Sequence, residues 1–299
     1  MVVLGATGRV GRLILAEWLA RPPERLQVRT QMRGAGQTGT IGWELADGPQ
    51  GGPQALAASI GQARVLVVLS GVTPAPGADY RLNVALALAA VQAGALCGAR
   101  HLFIASSAAV YGSAGPGPLS ERVAPNPVSD YGRAKLAMEL ACTRWLDQAP
   151  QPKPGVTFLR IGNVVGTDQF FRNLARASPQ TPLLLDQFAD GTGPVRSYIG
   201  PASLARTLAC LCRRAAAGAP LPLVLNIGAP AGGIDMAAFI PALLARGHPA
   251  PVIRAPAPPA ALPALRLSTH LLDSLCPIDP AEGTAAAMVQ QWLALRGAR

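Results

Sequence analysis

Tyr131 and Lys135 lie four residues apart in the run Asp-Tyr-Gly-Arg-Ala-Lys at 130–135. On a helix this spacing places both side chains on one face. A phenol ionises near pH ~10, too high for a base at neutral pH, and a nearby ammonium favours the phenolate and lowers that value. A pair so placed can pass a proton to or from a substrate oxygen. A solvated helix with an unrelated Tyr and Lys shows the same spacing, so composition has to help separate the two readings. Lys and Arg together number 26, yet the only lysines are Lys135 and Lys153. A chain that uses Arg almost everywhere keeps Lys at 135, where a compact ammonium with an adjustable pKa matters.

The elements that must position this pair begin at the first residues. Val2 to Leu4 reads as a short strand, Gly5-Ala-Thr-Gly8-Arg-Val-Gly11 as a turn, and Leu13 to Leu19 as an amphipathic helix. Strand, glycine turn and helix form a phosphate cradle, in which the backbone approaches a pyrophosphate at the positive helix N-terminus. A tight turn without a ligand is the bland alternative. A second strand runs from Leu26 to Met32 and ends at Arg33. An NAD site usually has a carboxylate there for the ribose 2′-OH, and here Arg33 stands instead, with Arg29 or Arg9 as possible helpers. Arg suits a 2′-phosphate, which favours NADP over NAD.

Further strands are read at Thr40 to Leu45, Arg64 to Leu69, His101 to Ala105 and Val156 to Arg160, with helices at Asp79 to Cys97 and from Tyr131 to about Gln148. This alternation predicts an α/β fold with a Rossmann-type, doubly wound parallel sheet. After Gly166 the rhythm changes. Helices are read at Phe170 to Ala177, Pro201 to Ala217, Ala237 to Arg246 and Thr284 to Leu295, with extended stretches around 182–185 and 249–263. The expected division is a nucleotide-binding domain over 1–166, rejoined by a strand at 222–228, and a smaller, mostly helical substrate-binding part over 167–221 and 229–299.

The net charge is +10. Arginines are spread along the chain and aromatics make up 5%, which argues against nucleic acid and for a potential that attracts small anions. No apolar run spans a membrane and no signal peptide is read at the start, so a cytoplasmic protein is expected. The five cysteines are scattered apart from Cys210 and Cys212, and are read as reduced core residues. Cys210-x-Cys212 is too tight for zinc, and no metal site is expected. His101, His248 and His270 read as structural.

The motifs GATGRVG at 5–11, SSAAVYG at 106–112, YGRAK at 131–135, LRIGNVVG at 159–166, DGTGPVRSYI at 190–199 and LNIG at 225–228 stand in one order. In this the chain resembles the extended short-chain dehydrogenase/reductases, the NAD(P)-dependent epimerase/dehydratase group. The resemblance implies that Tyr131 is the acid/base, that Lys135 lowers its pKa and holds the nicotinamide ribose, and that Ser107 bonds the reacting oxygen. It implies cofactor contacts from Gly5, Thr7, Gly8, Arg9, Val10 and Gly11, with Asp47 near the adenine and Gly71 near the ribose. Asn83 and Asn163 would lie beside the substrate, and Arg196 would bind the diphosphate of a nucleotide sugar. It also implies a homodimer through a four-helix bundle. Pro194, an extra residue, and Ser197, in place of a frequent Asp, depart from the pattern and bear on the substrate class. Two functions follow: a hydride-transferring oxidoreductase or epimerase, and a non-catalytic NADP-binding sensor.

Overall fold

The computed structural model describes residues 1–34, 40–46, 51–112, 115, 117–230 and 232–296. Seven strands form its main sheet: β1 (Val2–Leu4), β2 (Arg29–Met32), β3 (Thr40–Gly42), β4 (Val65–Val68), β5 (His101–Ser107), β6 (Gly155–Ile161) and β7 (Val224–Ile227). Their spatial order is β7-β6-β5-β4-β1-β2-β3, and every pairing is parallel. The order reverses at β1, which places a crevice at the C-terminal ends of β1 and β4.

Alternate residues of each strand feed opposite faces. Val65 and Val67 pack with Ile14 and Trp18 of α1 (Arg9–Ala20) and with Leu204 and Leu208 of the long helix Pro201–Ala216. Leu66 and Val68 point the other way. They meet Leu56 and Ile60 of α2 (Pro53–Ile60), Val91 of α3 (Leu82–Leu96) and Met138 of α4 (Asp130–Gln148). A third core, with Phe170, Tyr198, Phe239 and Trp292, lies in the C-terminal part and takes in Leu13 of α1. Its helices are α5 (Gln169–Leu174), α6 (Pro201–Ala216), α7 (Phe239–Leu244), α8 (His270–Leu275) and α9 (Ala285–Arg296). β7 returns to the main sheet beside β6, pairing Asn226 with Arg160.

The structure differs from the sequence reading in several elements. α2 and α8 were not expected, and the expected helix at 79–97 begins only at Leu82. The expectation of fully reduced cysteines is corrected: Cys210 on α6 and Cys276 just after α8 are bonded, with Cα atoms 6.1 Å apart. They are 66 residues apart in sequence, so only the packing of α8 on the sheet brings them together. Cys97, Cys142 and Cys212 are free. Among the described residues no helix is long and apolar enough to cross a membrane, and no His, Cys, Asp or Glu cluster could hold a metal.

Candidate active site and dinucleotide groove

The glycine turn is shaped by close approach. Gly5 has φ +75°, and a Cβ at Gly11 would lie 2.5 Å from the Ala6 carbonyl oxygen. Any larger residue at 11 would push α1 off the turn that it must follow. Buried Gln31 of β2 braces the same turn. Its Oε1 accepts from Gly5 N at 3.1 Å while its Nε2 donates to Met32 O and Trp43 O. The sequence reading passed over Gln31, because nothing local marks a strand glutamine as a brace for a turn 26 residues away.

Two cavities open beside the turn. One, of about 770 Å³, is lined by Thr7, Gly8, Arg9, Val10 and Gly11, by Arg33 and Gly71, and by Thr167, Arg172 and Arg296 from the C-terminal part. Its described lining includes five arginines and no carboxylate. The other, of about 270 Å³, runs past Arg33 toward Trp43, Leu45, Leu69 and Leu86, an apolar slot of the kind that takes an adenine. Glu44 lines this slot together with Arg33, a carboxylate delivered by β3 rather than by the end of β2. Arg33 is exposed. Asp47 lies outside the described residues.

The residues expected to transfer a proton lie where β5 ends and α4 begins. Ser129 caps α4, its Oγ accepting from Gly132 N at 3.1 Å. A Cβ at Gly132 would come within 2.4 Å of the Ala109 carbonyl, so glycine lets α4 press against the short turn Ala108–Val110. That contact sets Tyr131 beside Ser107, whose Oγ accepts from Ala109 N at 3.2 Å. Burial pushes the phenol above its usual pKa, and Ser107 first and Arg9 more weakly pull it back. Lys135 was expected to do the lowering. In this structure its Nζ donates to Ala105 O at 2.9 Å, and burial drops its own pKa to about 8, opposed by Glu139. Tyr80, which the sequence reading did not single out, packs its ring 6.0 Å from that of Tyr131.

Gly71 stands between these two sets. A Cβ there would lie 3.2 Å from Lys135 Nζ and 2.8 Å from Asn83 Oδ1. A side chain at 71, a position that lines both cavities, would crowd Lys135 and Asn83. Bare backbone at the turn, an arginine wall and a lysine at the far end fit a dinucleotide with a phosphate-rich middle.

The residues expected beside the substrate fare differently. Asn83 is buried, its Oδ1 accepts from Val72 N, and its Nδ2 donates to Val72 O and Tyr80 O, each at 3.1 Å. It holds the loop after β4, and both of its Nδ2 hydrogens are engaged there. Asn163 donates to Asp168 Oδ2 at 3.1 Å, an oxygen that also accepts from Tyr198 OH at 2.8 Å. Burial raises the Asp168 carboxyl to about 6. The Arg196 guanidinium donates to Val195 O and Leu262 O, both at 2.8 Å, so the chain itself occupies donors that a diphosphate would need. Ser197 is buried and its Oγ accepts from Leu267 N at 2.8 Å.

A buried network beneath the site was not visible in the sequence. Ser106 Oγ donates to Glu139 Oε1 at 2.5 Å, and Arg160 Nη2 donates to Glu139 Oε2 at 2.7 Å. Arg160 lies over the Tyr111 ring, 4.8 Å from its centroid, and Tyr111 OH donates to Asn226 Oδ1 at 2.8 Å. Three of the sequence motifs thereby meet through Glu139 of α4 under the end of the sheet.

A seven-stranded parallel sheet with a glycine turn at its switch point defines a Rossmann-type fold. The model of the NAD dependent epimerase/dehydratase family matches residues 1–200, and the chain belongs to that family of enzymes. Its curated relatives include dTDP-6-deoxy-L-talose 4-dehydrogenase (NAD(P)(+)) of Kitasatospora kifunensis, 28% identical over 277 residues, 86% of this chain and 82% of the relative. Among solved structures, a UDP-glucose 4-epimerase from Brucella ovis in complex with NAD superposes with a TM-score of 0.77 at 19% identity, covering 97% of this chain and 96% of that one. A dTDP-glucose 4,6-dehydratase from Streptomyces venezuelae, with NAD bound, gives 0.69 at 19% identity over 99% and 97%. These structural likenesses speak for the fold.

Proposed function

We propose that this enzyme carries out hydride transfer at a carbinol or carbonyl carbon of a nucleotide sugar, with NADP favoured over NAD and Tyr131 as acid/base. The observation that carries the reading is that Ser107 acts on the Tyr131 phenol while Lys135 stands beside Gly71, a residue of the cavity that starts at the glycine turn. The hydride is taken up or returned by a nicotinamide bound in the groove. Tyr131 moves the proton on the substrate oxygen. Ser107 bonds that oxygen and holds the phenol in line. Lys135, buried at the far side of Gly71, meets the ribose hydroxyls and supplies positive charge as the phenolate forms. Arg33 pairs with the 2′-phosphate, with no carboxylate at the end of β2 and with Glu44 in the same slot as the charge that Arg33 must outweigh.

The substrate class draws support from the dTDP-sugar dehydrogenase among the relatives. To bind a nucleotide sugar's diphosphate, Arg196 would exchange the carbonyls of Val195 and Leu262 for phosphate oxygens. The chain would work as a cytoplasmic homodimer through the outer faces of α3 and α4, where Leu96 and Leu140 are exposed.

Tyr131→Phe tests the reading. General acid/base catalysis contributes roughly 10²–10⁴-fold, so turnover of a dTDP- or UDP-sugar should fall by that factor while dinucleotide affinity stays level. Turnover within a few-fold of wild type would remove Tyr131 from the mechanism. A wild-type protein stabilised by dinucleotide but turning over no sugar nucleotide would favour the sensor.

A further inference from the structure

Arg9 opens α1 and Arg172 lies on α5, yet both reach the loop that follows β4. Arg9 Nη2 donates to Thr73 Oγ1, and Arg172 Nη1 donates to Pro74 O at 2.9 Å. Two guanidinium groups from separate parts of the fold therefore rest on consecutive residues of one loop, and both line the 770 Å³ cavity. Like charges gathered this way repel. The Arg9 pKa is lowered by burial first, and then by Arg172 and Arg176. Among the described residues no carboxylate forms an ion pair with either arginine. Their present acceptors are a hydroxyl and a carbonyl, both neutral and replaceable. An anion between them would offset the repulsion and gain charge-assisted, forked hydrogen bonds.

We propose that Arg9 and Arg172 form a two-arginine clamp for a diphosphate, with Arg172 as the half supplied by the C-terminal part of the chain. This rests on the cofactor reading above and adds a residue to it. The cofactor's pyrophosphate is the favoured occupant over the diphosphate of a nucleotide sugar. Gly8 and Val10 line the same cavity, and the first N–H groups of the twelve-residue α1 have no partner within their helix. The clamp reads pyrophosphate, not the 2′-phosphate, so it serves NAD and NADP alike. It also ties α5 of the C-terminal part to the cofactor.

The test is the dissociation constants of NAD, NADP and dTDP for wild type, Arg172→Gln, Arg172→Lys and Arg144→Gln. Arg144 is exposed and far along α4, so its variant controls for the lost net charge. Arg172→Gln should weaken NAD and NADP equally, by about ten-fold, with dTDP and the control unchanged. Arg172→Lys should recover part of the loss. A loss confined to dTDP would keep the clamp and assign it to the sugar nucleotide. Wild type binding tightly and Arg172→Gln binding equally well would overturn the clamp alone. Wild type binding none of the three would take away the cofactor reading as well.

Discussion

Arg160 and the Arg9–Arg172 pair sit in opposite electrostatic settings. Arg160 is buried under the sheet, holds Glu139 through both of its oxygens, and lies over the Tyr111 ring. Burial works against its charge, and Glu139 more than restores it. Arg9 and Arg172 face a cavity, have only neutral acceptors, and repel each other. A cation with its counter-ion built into the chain holds the structure together. A set of cations with no counter-ion in the described chain is arranged for one that arrives from outside. Counting arginines does not distinguish the two, since the chain is Arg-rich throughout.

The sharpest way to break the comparison is to remove one arginine of each kind. Arg160→Met leaves Glu139 buried and unpaired, and breaking a buried pair costs about 3–5 kcal/mol. Arg172→Gln, at a partly exposed site with a neutral partner, should stay within about 0.5 kcal/mol of wild type. Urea titrations of both variants decide it. Similar losses would mean that Arg172 is structural as well.

Lys135 belongs to neither class, because it is buried yet proposed to work. Its pKa falls from 10.5 to about 8 in the folded chain. Between those values the unfolded chain binds more protons, so stability should rise as pH goes from about 8 to about 10.5. A shift of this size corresponds to roughly 3 kcal/mol, and leaving Ala105 O without its donor costs ~1–3 kcal/mol. Lys135→Met should therefore be about 1 kcal/mol more stable at pH 7, with turnover lost and the pH dependence gone. A variant less stable than wild type would make Lys135 a packing residue.

Asp168 gives a smaller effect of opposite sign. Its folded pKa is about 6 against an ordinary 3.8, so between these values the folded chain keeps a proton that the unfolded chain releases. Stability should fall as pH rises from about 4 to about 6. Asp168→Asn keeps the cap on Phe171 N and should flatten that slope in thermal melts. A slope unchanged by the substitution would place the titrating group elsewhere.

What the sequence disclosed was local. The strand, glycine turn and α1 could be read because the cradle is one continuous segment, and α4 because its pattern runs over 19 residues. α2 escaped because it has eight residues, of which only Leu56 and Ile60 are fully buried, too few to show a period. The Glu139–Arg160 pair, the Gln31 brace and the Cys210–Cys276 bond are 21, 26 and 66 residues apart. No local pattern forecasts such contacts. Asn83 shows the same from the other side: a motif match marks the residue but not its partners, which lie on the loop around Val72. The arginines of the cavity were each visible, but their convergence was not.

The most direct test of the claim that this wall of unpaired arginines is a phosphate site uses the end that Arg33 occupies. A charge-assisted contact to the 2′-phosphate is worth roughly 1.5–3 kcal/mol, so wild type should bind NADP about ten-fold or more tighter than NAD. Calorimetric titration of both cofactors into wild type and Arg33→Ala measures this. The account predicts that Arg33→Ala abolishes most of the preference and leaves NAD affinity nearly unchanged. Equal affinities in wild type, or a preference that survives the substitution, would contradict it and would turn attention to Glu44 as the group that reads the ribose.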